Sequence, residues 1–106
     1  MITPDVEAVI SFLKTEEGGR KTPCANGYRP AHLVKDDYLT TGVHQYYEKD
    51  LVAPGETVIG TIAFITPEIY PHCLWIGKIL KIQEASKIVG YAKITKIFNE
   101  LLFRVE

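Results

Sequence analysis

The residue types best suited to recognition chemistry crowd into one stretch, Gly18-Gly19-Arg20-Lys21-Thr22-Pro23-Cys24-Ala25-Asn26-Gly27-Tyr28-Arg29-Pro30. Paired glycines reach backbone angles that side-chained residues avoid. Their successive N–H groups can form a small concavity for an anion. The plain alternative is a tight exit from a preceding strand. Asn26-Gly27 is a turn pair, because both residues tolerate positive φ. Pro30 lacks a backbone donor and suits a strand start or edge, and it keeps Arg29 extended. Tyr28 and Arg29 are then presented on opposite sides of a stiff backbone. A guanidinium fork matches phosphate or carboxylate. The structural alternatives are an ion pair from Arg29 to Glu16, Glu17 or Asp36, and a core or rim position for Tyr28.

Other chemistry finds less support. A zinc site needs clustered ligands, and Cys24, His32, His44, His72 and Cys73 have no recognised spacing. His72 beside Cys73 suggests an activated thiol, but neighbours on a strand face opposite ways, so Cys73 reads as a small buried hydrophobe. The acidic pairs Glu16-Glu17 and Asp36-Asp37, and the run Glu48-Lys49-Asp50, read as solvated turns rather than an enclosed acid–base site. Gly77-Lys78 is followed by Ile79 and has no upstream glycine at phosphate-loop spacing, which argues against GTP hydrolysis. Tyr46-Tyr47 and Trp75 are either stacking surfaces for bases or core aromatics, the latter being the commoner role on barrel strands.

These residues must be held by short strands. The 106 residues fit one domain. The formal net charge of −1 supplies no global field toward nucleic acid or anionic membrane. The charge is uneven: Lys78, Lys81, Lys87, Lys93 and Lys96 face only Glu84 between His72 and Phe98, while segments 1–20 and 35–50 lean acidic. From Asp5 to Lys14, Val6, Val9, Ile10 and Leu13 fit a helical stripe, and Val6, Ala8, Ile10 and Phe12 fit strand alternation equally well. Strands are expected over Pro30–Val34, Tyr38–Tyr47, Glu56–Thr66, Leu74–Gln83 and Ile88–Phe98, with a type II turn at Pro54-Gly55. The last two strands form a hairpin across Glu84-Ala85-Ser86-Lys87, a turn without glycine. Such spacing points to an antiparallel barrel or sandwich. Met1-Ile2-Thr3-Pro4-Asp5 has neither a basic head nor a long apolar stretch, so the expectation is a cytoplasmic protein with reduced thiols.

The strings Gly18-Gly19-Arg20-Lys21-Thr22-Pro23, Gly27-Tyr28-Arg29-Pro30, Leu51-Val52-Ala53-Pro54-Gly55-Glu56, Ile65-Thr66-Pro67 and Lys87-Ile88-Val89-Gly90-Tyr91 occur in an order and at spacings that resemble the C-terminal β-barrel domain of elongation factor Tu. The resemblance implies an all-β fold, a six-stranded antiparallel β-barrel over 1–98, with the first segment a strand and 99–106 a C-terminal tail extension carrying an apolar Leu101-Leu102-Phe103 patch. In the full factor this domain packs on the GTPase domain, touches the T-stem backbone of aminoacyl-tRNA and helps receive the nucleotide-exchange factor. Carried onto this chain, the partner- or RNA-binding residues are Gly18, Gly19, Arg20, Thr22, Tyr28, Arg29 and Lys87. Two departures count against RNA: Cys24-Ala25 replaces the family's aromatic pair, and Leu33-Val34-Lys35-Asp36-Asp37 replaces a basic, Thr-rich segment.

The expectation is therefore a non-catalytic binding module that recognises protein, either a partner of the factor or a target reached by imitating it. The alternative is a module retaining tRNA contact. No cofactor, metal, bound nucleotide or membrane is expected.

Overall fold

A computed structural model describes residues 3–35 and 38–104. The alternation of Val6, Ala8, Ile10 and Phe12 decides the first segment, because all four are buried and the residues between them are not. Val6–Phe12 is strand β1. It is followed by β2 (Cys24–Ala25), β3 (Ala31–Lys35), β4 (Tyr38–Tyr46), β5 (Leu51–Val52), β6 (Thr57–Phe64), β7 (Ile79–Glu84) and β8 (Lys87–Ile97). Six of these close an antiparallel barrel in the order β1-β6-β4-β3-β7-β8, with β8 returning to β1. The short β2–β5 ribbon stands apart from it.

Closure leaves no free sheet edge in the barrel and gives each strand one inward face. That face carries Val6, Ala8, Ile10, Val34, Val58, Ile62, Leu80, Ile82, Ala92 and Ile94. Pro54 and Gly55 occupy the central positions of the expected turn, with Gly55 at φ 88 and Glu56 N–H donating to the Ala53 carbonyl at 3.0 Å.

One end of the barrel is plugged by Tyr70, Leu74 and Leu102, all fully buried. The tail therefore folds back on its own chain: Leu74 N–H donates to the Leu102 carbonyl (2.9 Å) and Arg104 N–H to the Leu74 carbonyl (2.7 Å). Leu102 enters the core, whereas Leu101 and Phe103 stay exposed. Asp5 ties this end together. Its carbonyl accepts from Phe98 and Asn99 N–H (2.8 and 3.1 Å), and its carboxylate accepts from Phe64 N–H (2.7 Å) and Asn99 Nδ2 (2.9 Å).

Two expectations need correction. The strand expected from Leu74 begins only at Ile79, because Lys78 N–H closes a turn onto the Trp75 carbonyl (3.1 Å) with Gly77 at φ 92. The β7–β8 turn is shorter than expected: Glu84 pairs with Lys87, leaving only Ala85 and Ser86 between them, and Ala85 takes φ 55 despite its side chain.

Candidate functional site

At the barrel end away from the Tyr70 plug, the 18–30 loop meets the β7–β8 hairpin. Arg20 and Tyr28 converge there on a residue that sequence reasoning assigned only to a turn, Glu84, with Thr22 and Lys87 beside them. The Arg20 guanidinium donates through Nη1 to the Glu84 carboxylate, and Tyr28 Oη donates to the same carboxylate oxygen. Arg20 also donates to the Thr22 carbonyl through Nε (3.3 Å) and to Thr22 Oγ1 through Nη2 (3.1 Å). Its guanidinium carbon lies 4.7 Å from the centre of the Tyr28 ring, within cation–π range. Lys87 Nζ donates to the Gly19 carbonyl at 3.0 Å.

The electrostatics follow from this packing. Burial alone would raise Glu84, but hydrogen bonds from Tyr28 and Arg20 hold its carboxyl below the usual range. Burial and the bond to Glu84 push the Tyr28 phenol up. Partial burial would lower Arg20, but the bond to Glu84 together with the neighbouring Cys24 and Tyr28 raises it. The corner thus pairs its charges internally and holds its aromatic ring fixed.

The glycines serve this geometry. Gly18 sits at φ 95, and Gly18 and Gly19 N–H donate to the carbonyls of Thr15 and Lys14 (3.1 and 3.0 Å). Those donors are engaged within the chain, as a tight exit from the preceding strand requires, and do not line an anion concavity. Asn26-Gly27 does form its turn, with Gly27 at φ 92 and Tyr28 N–H on the Ala25 carbonyl (3.1 Å). Tyr28 is half-buried against Phe12 and His44, while Arg29 projects into solvent. Among the described residues Arg29 has no hydrogen-bond or ion-pair partner, Glu16 and Glu17 included. Asp36 and Asp37 lie outside the described residues.

The histidines expected to be unclustered are in part brought together. His32 and His44 are fully buried inside the barrel with their Nε2 atoms 2.8 Å apart, and His44 Nδ1 lies 3.0 Å from Tyr46 Oη. One imidazole donates and the other accepts across this contact, and burial favours the neutral form of both. Burial lowers His32 to about 4; the backbone of Thr40 and Pro30 offsets part of this, although His32 Nδ1 makes no hydrogen bond. Burial, then the neighbouring His32, lowers His44. Among the described residues no three His, Cys, Asp or Glu groups are placed to share a metal ion. His72 and Cys73 lie on a turn rather than a strand, Cys73 is only half-buried, and both cysteines are free. Trp75 is not a core aromatic but 40% exposed.

No model of a known protein family matches the chain. Among the described residues no helix is long and apolar enough to cross a membrane.

Proposed function

We propose that this chain is a non-catalytic protein-recognition module on a barrel like the C-terminal domain of elongation factor Tu. Its docking face is the corner of Gly18, Gly19, Arg20, Thr22, Tyr28 and Lys87, with Arg29 at the rim. The observation that carries the reading is the clamp of Arg20 and Tyr28 on Glu84. A guanidinium neutralised by a carboxylate and stacked on a ring is poorly suited to gripping a phosphate. A rigid, preformed aromatic–arginine corner suits a protein surface, where such residues dominate binding energy. The closed six-stranded barrel and the meeting of the 18–23, 27–30 and Lys87 strings at one end also support the reading.

The test is calorimetric titration of the chain with purified nucleotide-exchange factor of elongation factor Tu, beside a parallel titration with deacylated tRNA. The expected result is binding of the exchange factor that weakens about tenfold or more in Arg29→Ala, in line with an interface anchor. Absence of binding to the exchange factor overturns this choice of partner. Salt-sensitive binding of tRNA alone, lost in Arg29→Ala, would establish the alternative, an RNA module. That second reading draws on the uncompensated guanidinium of Arg29.

A further inference from the structure

The lysine-rich stretch between His72 and Phe98 is not explained by the corner. Most of it lies elsewhere, at the plugged end of the barrel. A groove of about 490 Å³ opens there between the end of β3, the start of β7 and the C-terminal segment. Lys35, Lys78, Lys81, Arg104, His72 and Trp75 are among its lining residues, and no carboxylate of the described residues lines it. Lys78 is a strut: it donates to the carbonyls of Val34 and Cys73 (2.8 Å to the latter), and its Nζ lies 4.5 Å from the centre of the Trp75 ring. Arg104 stacks on the same indole at 5.3 Å. Among the described residues Lys35, Lys81 and Arg104 have no carboxylate partner, although the chain as a whole is slightly acidic.

Two features indicate the ligand class. His72 is held at φ 60, a strained conformation for a side-chained residue. Its Nδ1 donates to the Phe103 carbonyl at 2.9 Å, which leaves Nε2 unused by that bond. The aromatic–cation pattern also continues out of the groove across the sheet. Lys81 pairs with Tyr91, Ile79 pairs with Lys93, and Ile79, Lys81, Tyr91 and Lys93 are all exposed. Among the described residues, acids meet this face at its borders, where Glu7 of β1 pairs with Lys96 and Glu84 of β7 pairs with Lys87. A single small anion would need one cluster of charge. A surface alternating rings and cations over several residues fits a flexible chain that carries a phosphate and a planar base at each step.

We propose that this groove and the adjoining β7–β8 face bind single-stranded nucleic acid. Trp75 and Tyr91 stack bases, and Lys35, Lys81, Lys93 and Arg104 neutralise phosphates. The guanidinium of Arg104 has the indole as its only side-chain partner among the described residues, so it can lift from the ring onto an incoming base and phosphate. The site is distinct from the Glu84 corner. It lies at the other end of β7, about 17 Å away by strand rise.

The test uses the whole chain and a fluorescein-labelled twelve-nucleotide single-stranded RNA, followed by anisotropy. Trp75 is the only tryptophan, so its fluorescence reports the groove directly. The expected result is binding with matching quenching of Trp75, weakening roughly 600-fold between 20 and 200 mM salt if about four phosphates are neutralised. Trp75→Ala should weaken binding about tenfold or more, as should Lys81→Glu/Arg104→Glu. Both latter positions are exposed, and unchanged thermal melting would show that the fold is intact. Lys21→Glu/Arg29→Glu at the corner should leave it unaltered. The proposal is overturned by any of four results: no binding at 20 mM salt, binding without Trp75 quenching, competition by uridine monophosphate at equal concentration of nucleotide, or equal affinity for polyglutamate.

Discussion

At the residue scale, the buried histidines give the sharpest expectation. His32 and His44 share one hydrogen bond and are charged only at a cost in burial. Their pKa values are depressed in the folded state, so the unfolded chain binds more protons at mildly acid pH. The contribution of His32 is full above the ordinary histidine value of 6.5 and falls as pH drops toward about 4, and His44, also held well below its ordinary value, acts in the same direction. For His32 the loss amounts to roughly 3 kcal/mol across that interval. Urea titrations at pH 7.5 and pH 5 should show a marked drop in stability at the lower pH, and His32→Leu/His44→Leu should flatten the difference. An equally steep drop in the double variant would assign the effect to other groups. Gly42 belongs to the same unit: a Cβ there would lie 2.6 Å from Ile62 Cγ2 and 2.8 Å from His32 Cε1. Both neighbours are buried, so Gly42→Ala should cost about 1–3 kcal/mol by denaturant titration, and a neutral outcome would mean that the ring has room to move.

The elements show what could be read from the sequence. Strands β3, β4, β6 and β8 follow from alternation and β-branched content, to within a few residues, whereas β1 fits a helical stripe equally well and is expected as a strand only from the resemblance. Gly55 and Gly27 mark their turns because positive φ has a local cause. The misses have non-local causes. Glu84 becomes a clamp only when folding brings it to Arg20 and Tyr28, 64 and 56 positions away. Asp5 joins Phe64 and Asn99 across 59 and 94 positions. The start of β7 was misplaced because Leu74 is apolar for another reason: it pairs with the C-terminal segment and plugs the barrel. The tail is therefore a structural element. Leu102→Ala should cost about 2–4 kcal/mol, whereas Leu101→Ala, on the exposed side of the same turn, should cost under about 1 kcal/mol. Equal, small effects would show that the tail adds nothing to the plug.

On the scale of the whole molecule, β7 spans two differently built ends: a charge-paired corner at Glu84 and a basic groove, without a carboxylate among the described residues, beginning at Ile79. A closed barrel makes this separation possible, since each end presents its own loops while the inward faces carry stability. Neither end shares a partner residue with the other in the contacts described above. Energetic independence follows, because substitutions more than about 10 Å apart without shared partners usually add. Glu84→Gln removes the charge that neutralises Arg20 and should cost about 1–2 kcal/mol. Trp75→Ala removes a half-exposed ring with two cations against it and should cost about 1 kcal/mol. Chemical denaturation of the double variant should give the sum to within about 0.5 kcal/mol. A larger coupling would mean that β7 transmits strain between its ends, so that occupancy of the groove would alter recognition at the corner.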